Sequence, residues 1–210
     1  ATHFTVDPSV TQIPCQAFQK HERLETIKFY KGVTSIGESA FLLCVNLTCI
    51  NLQETSVETI NEFTFAGCKS LKVVKVPPSL KRINQSAFVN CDSLIVINLS
   101  ACSLLENIDE HAFQCCASLI AAYFPQSLQR IGYYAFNQCS SLISIELPPT
   151  VQADDRAFGQ CFTLELRQPH IDNDNLSVEE EVQRSRESIT YLKQGYETSP
   201  IHKICNDPDI

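Results

Sequence analysis

The stretch IGYYAFNQCSSLISIELP, residues 131–148, decides the fold, because nearly every apolar residue in it recurs at the same place along the chain. Its phenylalanine is one of seven that follow one another at gaps of 23, 24, 23, 25, 23 and 22 residues: Phe18, Phe41, Phe65, Phe88, Phe113, Phe136 and Phe158. A fixed period of this length is the signature of a solenoid, in which each coil packs only on its neighbours.

The other apolar columns keep the same register. We number each coil from its phenylalanine, so that +6 is the residue six places later. Position +6 is leucine in all seven coils: Leu24, Leu47, Leu71, Leu94, Leu119, Leu142 and Leu164. Position −5 is isoleucine in six coils: Ile13, Ile36, Ile60, Ile83, Ile108 and Ile131. This agreement within one chain predicts that the columns form a continuous core.

Local periodicity predicts the shape of each coil. Apolar residues at +9 and +11 alternate with polar ones, as in a half-buried strand. Proline follows three of these strands, at Pro77, Pro125 and Pro148, and ends them because it cannot donate to a ladder. A second short strand is expected around the −5 isoleucine, and a short helical or 3₁₀ turn around the phenylalanine.

Six of the eleven cysteines lie at position +3: Cys44, Cys68, Cys91, Cys116, Cys139 and Cys161. A position repeated in every coil points the same way each time, so these residues predict an internal ladder of small buried side chains. We interpret the ladder as reduced thiols, which favours a reducing intracellular compartment, the cytoplasm or an organelle after processing, with the cell surface as the alternative.

The unit Ile-Gly-x-x-Ala-Phe-x-x-Cys at 131–139, followed by Leu-x-x-Ile-x-Leu-Pro at 142–148, resembles the BspA-like type of leucine-rich repeat. The resemblance covers about residues 4–164. It implies a solenoid of parallel strands that acts as an interaction scaffold and that has no catalytic residues to carry over. The expected class is α/β, mostly short parallel strands, with about seven coils of 22–25 residues and a C-terminal helical tail.

The sequence predicts two regions, a solenoid over 1–168 and an acidic tail over 169–210. Residues 150–168 read as a degenerate closing coil, because Ala153 replaces the −5 isoleucine and Arg167 and Pro169 take the strand positions. In the tail, Ser177-x-x-Glu180 is a capping-box pattern that predicts a helix over about 177–193.

Composition and charge argue against nucleic-acid binding and against a membrane-spanning segment. The chain has 16 Lys and Arg against 24 Asp and Glu, and no basic stripe that would neutralise a phosphate backbone, so we expect no nucleic-acid binding. The sequence also has no run of about 18 apolar residues, so we expect no membrane span.

The densest group of reactive side chains is His111 with Cys115 and Cys116. A metal site or a thiol nucleophile needs a further convergent ligand or an orienting group, and Cys116 already belongs to the ladder. We therefore predict no catalytic residue, no cofactor and no metal.

The most promising surface is the outward face of the main strands, about 25 Å long over six parallel strands. Its +10 column carries lysine at one end and tyrosine and glutamate at the other, and its +8 column adds an apolar lane in which Val73 and Val96 are expected to be exposed. We call the following eight residues the strand face and predict that they bind a partner: Lys28, Asn51, Val73, Lys75, Val96, Asn98, Tyr123 and Glu146.

These features favour a non-enzymatic scaffold that binds another protein through the strand face, the tail or both. One alternative is a structural subunit of a larger complex, docked by its uncapped N-terminal coil and its tail. A second alternative is a cell-surface adhesin.

Overall fold

Each coil contributes its longer strand to one parallel sheet of eight strands, in which neighbouring strands come from consecutive coils. The computed structural model describes residues 2–161 together with residues 165 and 166. The strands of this main sheet are β1 (Thr2–Thr5), β3 (Leu24–Lys28), β5 (Cys49–Asn51), β7 (Val73–Lys75), β9 (Val96–Asn98), β11 (Ala121–Tyr123), β13 (Ser144–Glu146) and β15 (Glu165–Leu166).

A second line of two-residue strands runs along the coils at the −5 isoleucines. The first two, β2 (Gln12–Ile13) and β4 (Ser35–Ile36), pair with each other. The remaining five form a parallel sheet: β6 (Thr59–Ile60), β8 (Arg82–Ile83), β10 (Asn107–Ile108), β12 (Arg130–Ile131) and β14 (Gln152–Ala153). The sequence prediction of two strands in each coil is therefore confirmed.

The seven phenylalanines form a single stack through the centre of the coils. Successive ring centroids lie 5.0 to 5.4 Å apart and the ring planes differ by no more than 15°. The five rings from Phe41 to Phe136 have no solvent exposure. Stacking is one of the arrangements in which aromatic pairs contribute beyond the area that they bury.

The cysteine column lies inside, as predicted, and each thiol has a hydrogen-bond acceptor that the sequence does not reveal. The Sγ of each ladder cysteine donates to the carbonyl oxygen of the phenylalanine one coil earlier, at 3.0 to 3.3 Å. All ten cysteines in the described part of the chain are free thiols. The ladder therefore joins consecutive coils through side chain and backbone together.

The turn around each phenylalanine supplies a third set of contacts between coils. Among the residues that the structure describes, thirteen have positive φ, between 53° and 69°, and they occupy all seven +2 positions and six of the −2 positions. With this geometry the N–H groups at −2, 0 and +2 donate to carbonyls of the next coil; Ser39, Phe41 and Leu43, for example, donate to Glu62, Thr64 and Ala66.

This geometry corrects the expectation of a helical turn at the phenylalanine. A helix needs consecutive residues in the right-handed region, and the left-handed residues at −2 and +2 interrupt any such run. Strands are the regular elements of the described residues, without a helix among them. The tail helix expected at 177–193 lies outside the described residues, as does the rest of the region 169–210.

The closing coil is more regular than the sequence suggests. Phe158 still stacks on Phe136, and β14 pairs with β12 although Ala153 is exposed. The main strand forms at Glu165–Leu166, one position earlier than the register predicts, and Leu166 pairs with Ile145. The two paired residues are thus 21 positions apart, one fewer than the 22 that separate Phe136 from Phe158.

We expect Phe88→Ala to lower the free energy of unfolding by about 3–5 kcal/mol, because the ring is fully buried between Phe65 and Phe113. Phe18→Ala is the matched control, since Phe18 ends the stack and is only partly buried. Urea denaturation measures both variants. Equal losses of unfolding free energy in the two variants would contradict a larger contribution from the centre of the stack.

Stability at high pH tests the thiol ladder. Burial raises the pKa of Cys44 from 9.0 to about 11, and burial also raises the pKa of Cys91 well above 9.0. Because the unfolded chain releases these protons first, the stabilisation is complete below pH 9 and is lost as the pH rises towards 11. We therefore expect the free energy of unfolding to fall over this range.

Cys91→Ala should make that decline shallower by up to about 1.4 kcal/mol per pH unit, the value for one fully buried thiol. Cys15→Ala, which removes an exposed thiol outside the ladder, is the matched control. Urea midpoints between pH 8 and 10.5 give both slopes. A Cys91→Ala slope equal to that of the wild type would contradict an internal ladder.

Candidate functional site

The +10 side chains of the strand face lie in register across the main sheet. Asn51 pairs with Lys75, and Tyr123 lies between Asn98 and Glu146. Parallel strands lie about 4.8 Å apart, so the column forms a straight ribbon with lysines towards the first coils and glutamate towards the last. The structure thus brings together the six residues of the +10 column: Lys28, Asn51, Lys75, Asn98, Tyr123 and Glu146.

The members of this column differ in how much of each side chain is accessible. Asn51, Asn98 and Glu146 are exposed, whereas Lys28 and Lys75 are half-buried. The Oδ1 of Asn98 accepts hydrogen bonds from the N–H and the hydroxyl of Ser100. This asparagine therefore shapes the turn after the strand.

Tyr123 is half-buried, and this burial raises the pKa of its phenol. The ring stays neutral at physiological pH and keeps a hydroxyl that can donate and accept. A tyrosine with an apolar ring and a polar tip is a typical anchor of protein interfaces.

The +8 lane lies deeper than the sequence predicts. Val73 is 2% exposed, so its expected exposure is wrong, and Val96 is half-buried. Val73 lies in register between Cys49 and Val96 on the adjoining strands. A small side chain in the middle of a sheet is covered by such neighbours, since the strands are only about 4.8 Å apart. The larger accessible apolar area lies outside the +8 lane.

That area is a groove beside the strands, which the sequence reading missed. It is lined by two columns, isoleucines at +7, which we call its floor, and serines at +5, which we call its serine wall. We call it the Ile–Ser groove; it has a volume of about 640 Å³ and is lined by Ile95, Ile120, Ile143, Ser93, Ser118, Ser141 and, at one end, Lys72. A signal for it existed in the +7 column, where polar residues in the first coils give way to isoleucine in the later ones.

The backbone N–H groups of the isoleucines, which directly precede β9, β11 and β13, donate to the preceding coil. The N–H of Ile120 donates to the carbonyl of Ile95, and the N–H of Ile143 donates to the carbonyl of Ile120. These bonds keep the side chains in line at the strand spacing. In the described part of the chain, the hydroxyls of Ser93, Ser118 and Ser141 have no hydrogen-bond partner. The groove therefore combines an apolar floor with a row of available hydroxyls.

The candidate reactive cluster does not converge. The Nδ1 of His111 lies 2.8 Å from Gln114 Oε1, the Sγ of Cys115 donates to Gln138 Oε1, and the Sγ of Cys116 donates to the carbonyl of Phe88. Each group thus has its own partner. Within residues 2–161, no three His, Cys, Asp or Glu side chains are placed to share a metal ion.

The described residues also contain no helix with the length and hydrophobicity required to cross a bilayer.

Three solved structures share this fold. A leucine-rich repeat protein from Bacteroides ovatus ATCC 8483 is 32% identical, with a TM-score of 0.72 over 79% of this chain and 45% of its own length. One from Eubacterium ventriosum ATCC 27560 is 22% identical, with a TM-score of 0.65 over 84% of this chain and 46% of its own. The leucine-rich repeat protein of T. pallidum is 24% identical, with a TM-score of 0.56 over 78% of this chain and 67% of its own.

The chain thus spans less than half the length of the first two of these proteins. No curated protein matches the sequence. The model of the BspA type leucine rich repeat region matches six copies, over residues 1–104 and 74–190. With the coil geometry described above, this match identifies the chain as a member of the BspA-type leucine-rich repeat family.

Proposed function

We propose that this chain is a non-enzymatic scaffold that binds a protein partner through the strand face, apart from the buried Val73. The observation that carries the proposal is the +10 column, in which lysine, asparagine, tyrosine and glutamate side chains are held in register at the strand spacing. Leucine-rich repeats commonly mediate protein interactions, and the repeat family is typically non-enzymatic.

The chemistry of the column favours a protein over other ligands. Its charges change from basic to acidic along about 25 Å, which suits a partner surface with the opposite order of charges. Tyr123 near the acidic end supplies an aromatic anchor, and the half-buried Val96, diagonal to it on the adjoining strand, adds apolar area. A ribbon of this length contacts several side chains of a partner at once, as a specific interface requires.

Two alternative functions, a subunit of a larger complex and a cell-surface adhesin, remain predictions. A subunit docked by its N-terminal coil and its tail would bind its complex without using Tyr123. An adhesin would bind a ligand outside the cell and would require export. Variants of the strand face therefore separate the scaffold role from the subunit role.

The test begins with a partner that is captured from the native source by the tagged chain and then purified. We expect Tyr123→Ala to weaken its binding at least tenfold, because truncating a central aromatic anchor commonly costs about 2 kcal/mol. Isothermal titration calorimetry measures the affinity. Lys75→Ala and Val96→Asp should also weaken binding.

Tyr133→Ala is the matched control, since Tyr133 is a tyrosine with 38% exposure that lies in the turn around Phe136, away from the strand face. It should leave the affinity unchanged. If Tyr123→Ala binds as tightly as the wild type while its melting temperature is also unchanged, the strand face is not the binding site.

A further inference from the structure

We propose that the Ile–Ser groove receives an amphipathic α-helix of the protein partner, with an acidic residue of that helix placed against Lys72. This inference rests on the proposed function, because it assumes a protein partner, and it assigns that partner a second contact beside the strand face. It concerns residues at +5 and +7, which the strand face does not include.

The spacing of the groove floor fits one side of a helix. Ile95, Ile120 and Ile143 lie on three consecutive coils, so the column spans two strand spacings, about 9.6 Å. Apolar residues at i, i+4 and i+7 of a helix lie on one side and span about 10.5 Å. Three helical side chains can therefore alternate with the three isoleucines over the same length.

Backbone chemistry favours a helix over an extended segment. The main-chain groups of the isoleucine column already bond to neighbouring coils, so the groove offers an extended chain no ladder to join. An extended segment would turn some of its amides towards the isoleucines, where only the serine hydroxyls are available as partners, and unsatisfied amides are costly. A helix satisfies its own backbone and leaves the hydroxyls for its polar side chains.

The shape of the groove disfavours a small molecule. Ile143 is 50% exposed, so the groove is open to solvent along its outer side. Pockets for small ligands usually enclose 70–90% of the ligand surface, which an open groove does not do. A rod-shaped element that keeps its outer side in water matches this geometry.

Charge decides which helix fits. Of the seven residues lining the groove, Lys72 is charged and the others are neutral, and it lies at the end nearest the first coils. Lys72 is exposed, so an acidic side chain at the end of the apolar stripe can reach it. Opposite charges at such an interface set orientation and partner choice more than affinity.

The experiment uses the full chain and two fluorescein-labelled helical peptides. Both carry leucine at i, i+4 and i+7; the acidic peptide has glutamate one turn beyond the stripe at either end, and the basic peptide has lysine there instead. We expect saturable binding of the acidic peptide by fluorescence anisotropy, and weaker binding of the basic one. Absence of saturable binding up to about 1 mM acidic peptide would overturn the proposal.

Ile143→Asp should weaken binding of the acidic peptide at least about tenfold, because it places a carboxylate on the apolar floor. Leu104→Asp is the matched control, since Leu104 is also 50% exposed and lies outside the groove. Ser118→Tyr, which fills the groove from its serine wall, should have the same effect as Ile143→Asp without adding charge. Equal binding by the wild type and both groove variants would overturn the proposal.

Lys72→Glu should reverse the preference, so that the basic peptide binds better than the acidic one. An unchanged preference would contradict the assigned orientation. The captured partner separates the two proposals. If Tyr123→Ala weakens the partner while Ile143→Asp does not, the scaffold role stands and the helix groove is wrong.

Discussion

Everything in this molecule depends on the contact between one coil and the next. A single coil has two short strands and a turn, and none of them can bury its apolar side alone. The stacked phenylalanines, the thiol-to-carbonyl bonds and three sets of backbone hydrogen bonds all join consecutive coils. Stability is therefore close to a sum over neighbouring coils, and in the described residues the core is a continuous column.

This construction fixes the inward positions and leaves the outward ones free to vary. The internal columns are occupied by packing, including the ladder cysteines that would otherwise be the most reactive side chains. What varies from coil to coil is the set of outward positions, and in a solenoid these positions line up at the strand spacing. Both the strand face and the Ile–Ser groove arise in this way, because each is a set of columns read across coils rather than a site within one coil.

The repeat made the core predictable, because Phe88, Leu94 and their equivalents agree in every coil. Three features were less accessible to sequence reasoning. The left-handed residues were missed because Ser39 and Leu43 are not residue types that signal positive φ. The burial of Val73 depends on its neighbours along the sheet, and the groove depends on columns that change character midway. In each case the missing information was contact between coils.

The turn layer has a further electrical consequence. In this layer the N–H groups at −2, 0 and +2 donate to the next coil, and the C=O groups at −3, −1 and +1 accept from the previous one. The N–H and the C=O of a trans peptide point in opposite directions. Three peptide units in each coil are therefore aligned in the same direction. Each peptide unit carries a dipole of about 3.5 D, and aligned units add head to tail. The strands alternate and nearly cancel. The turn side of the solenoid is therefore polarised along the direction in which the coils stack, with positive potential towards the later coils.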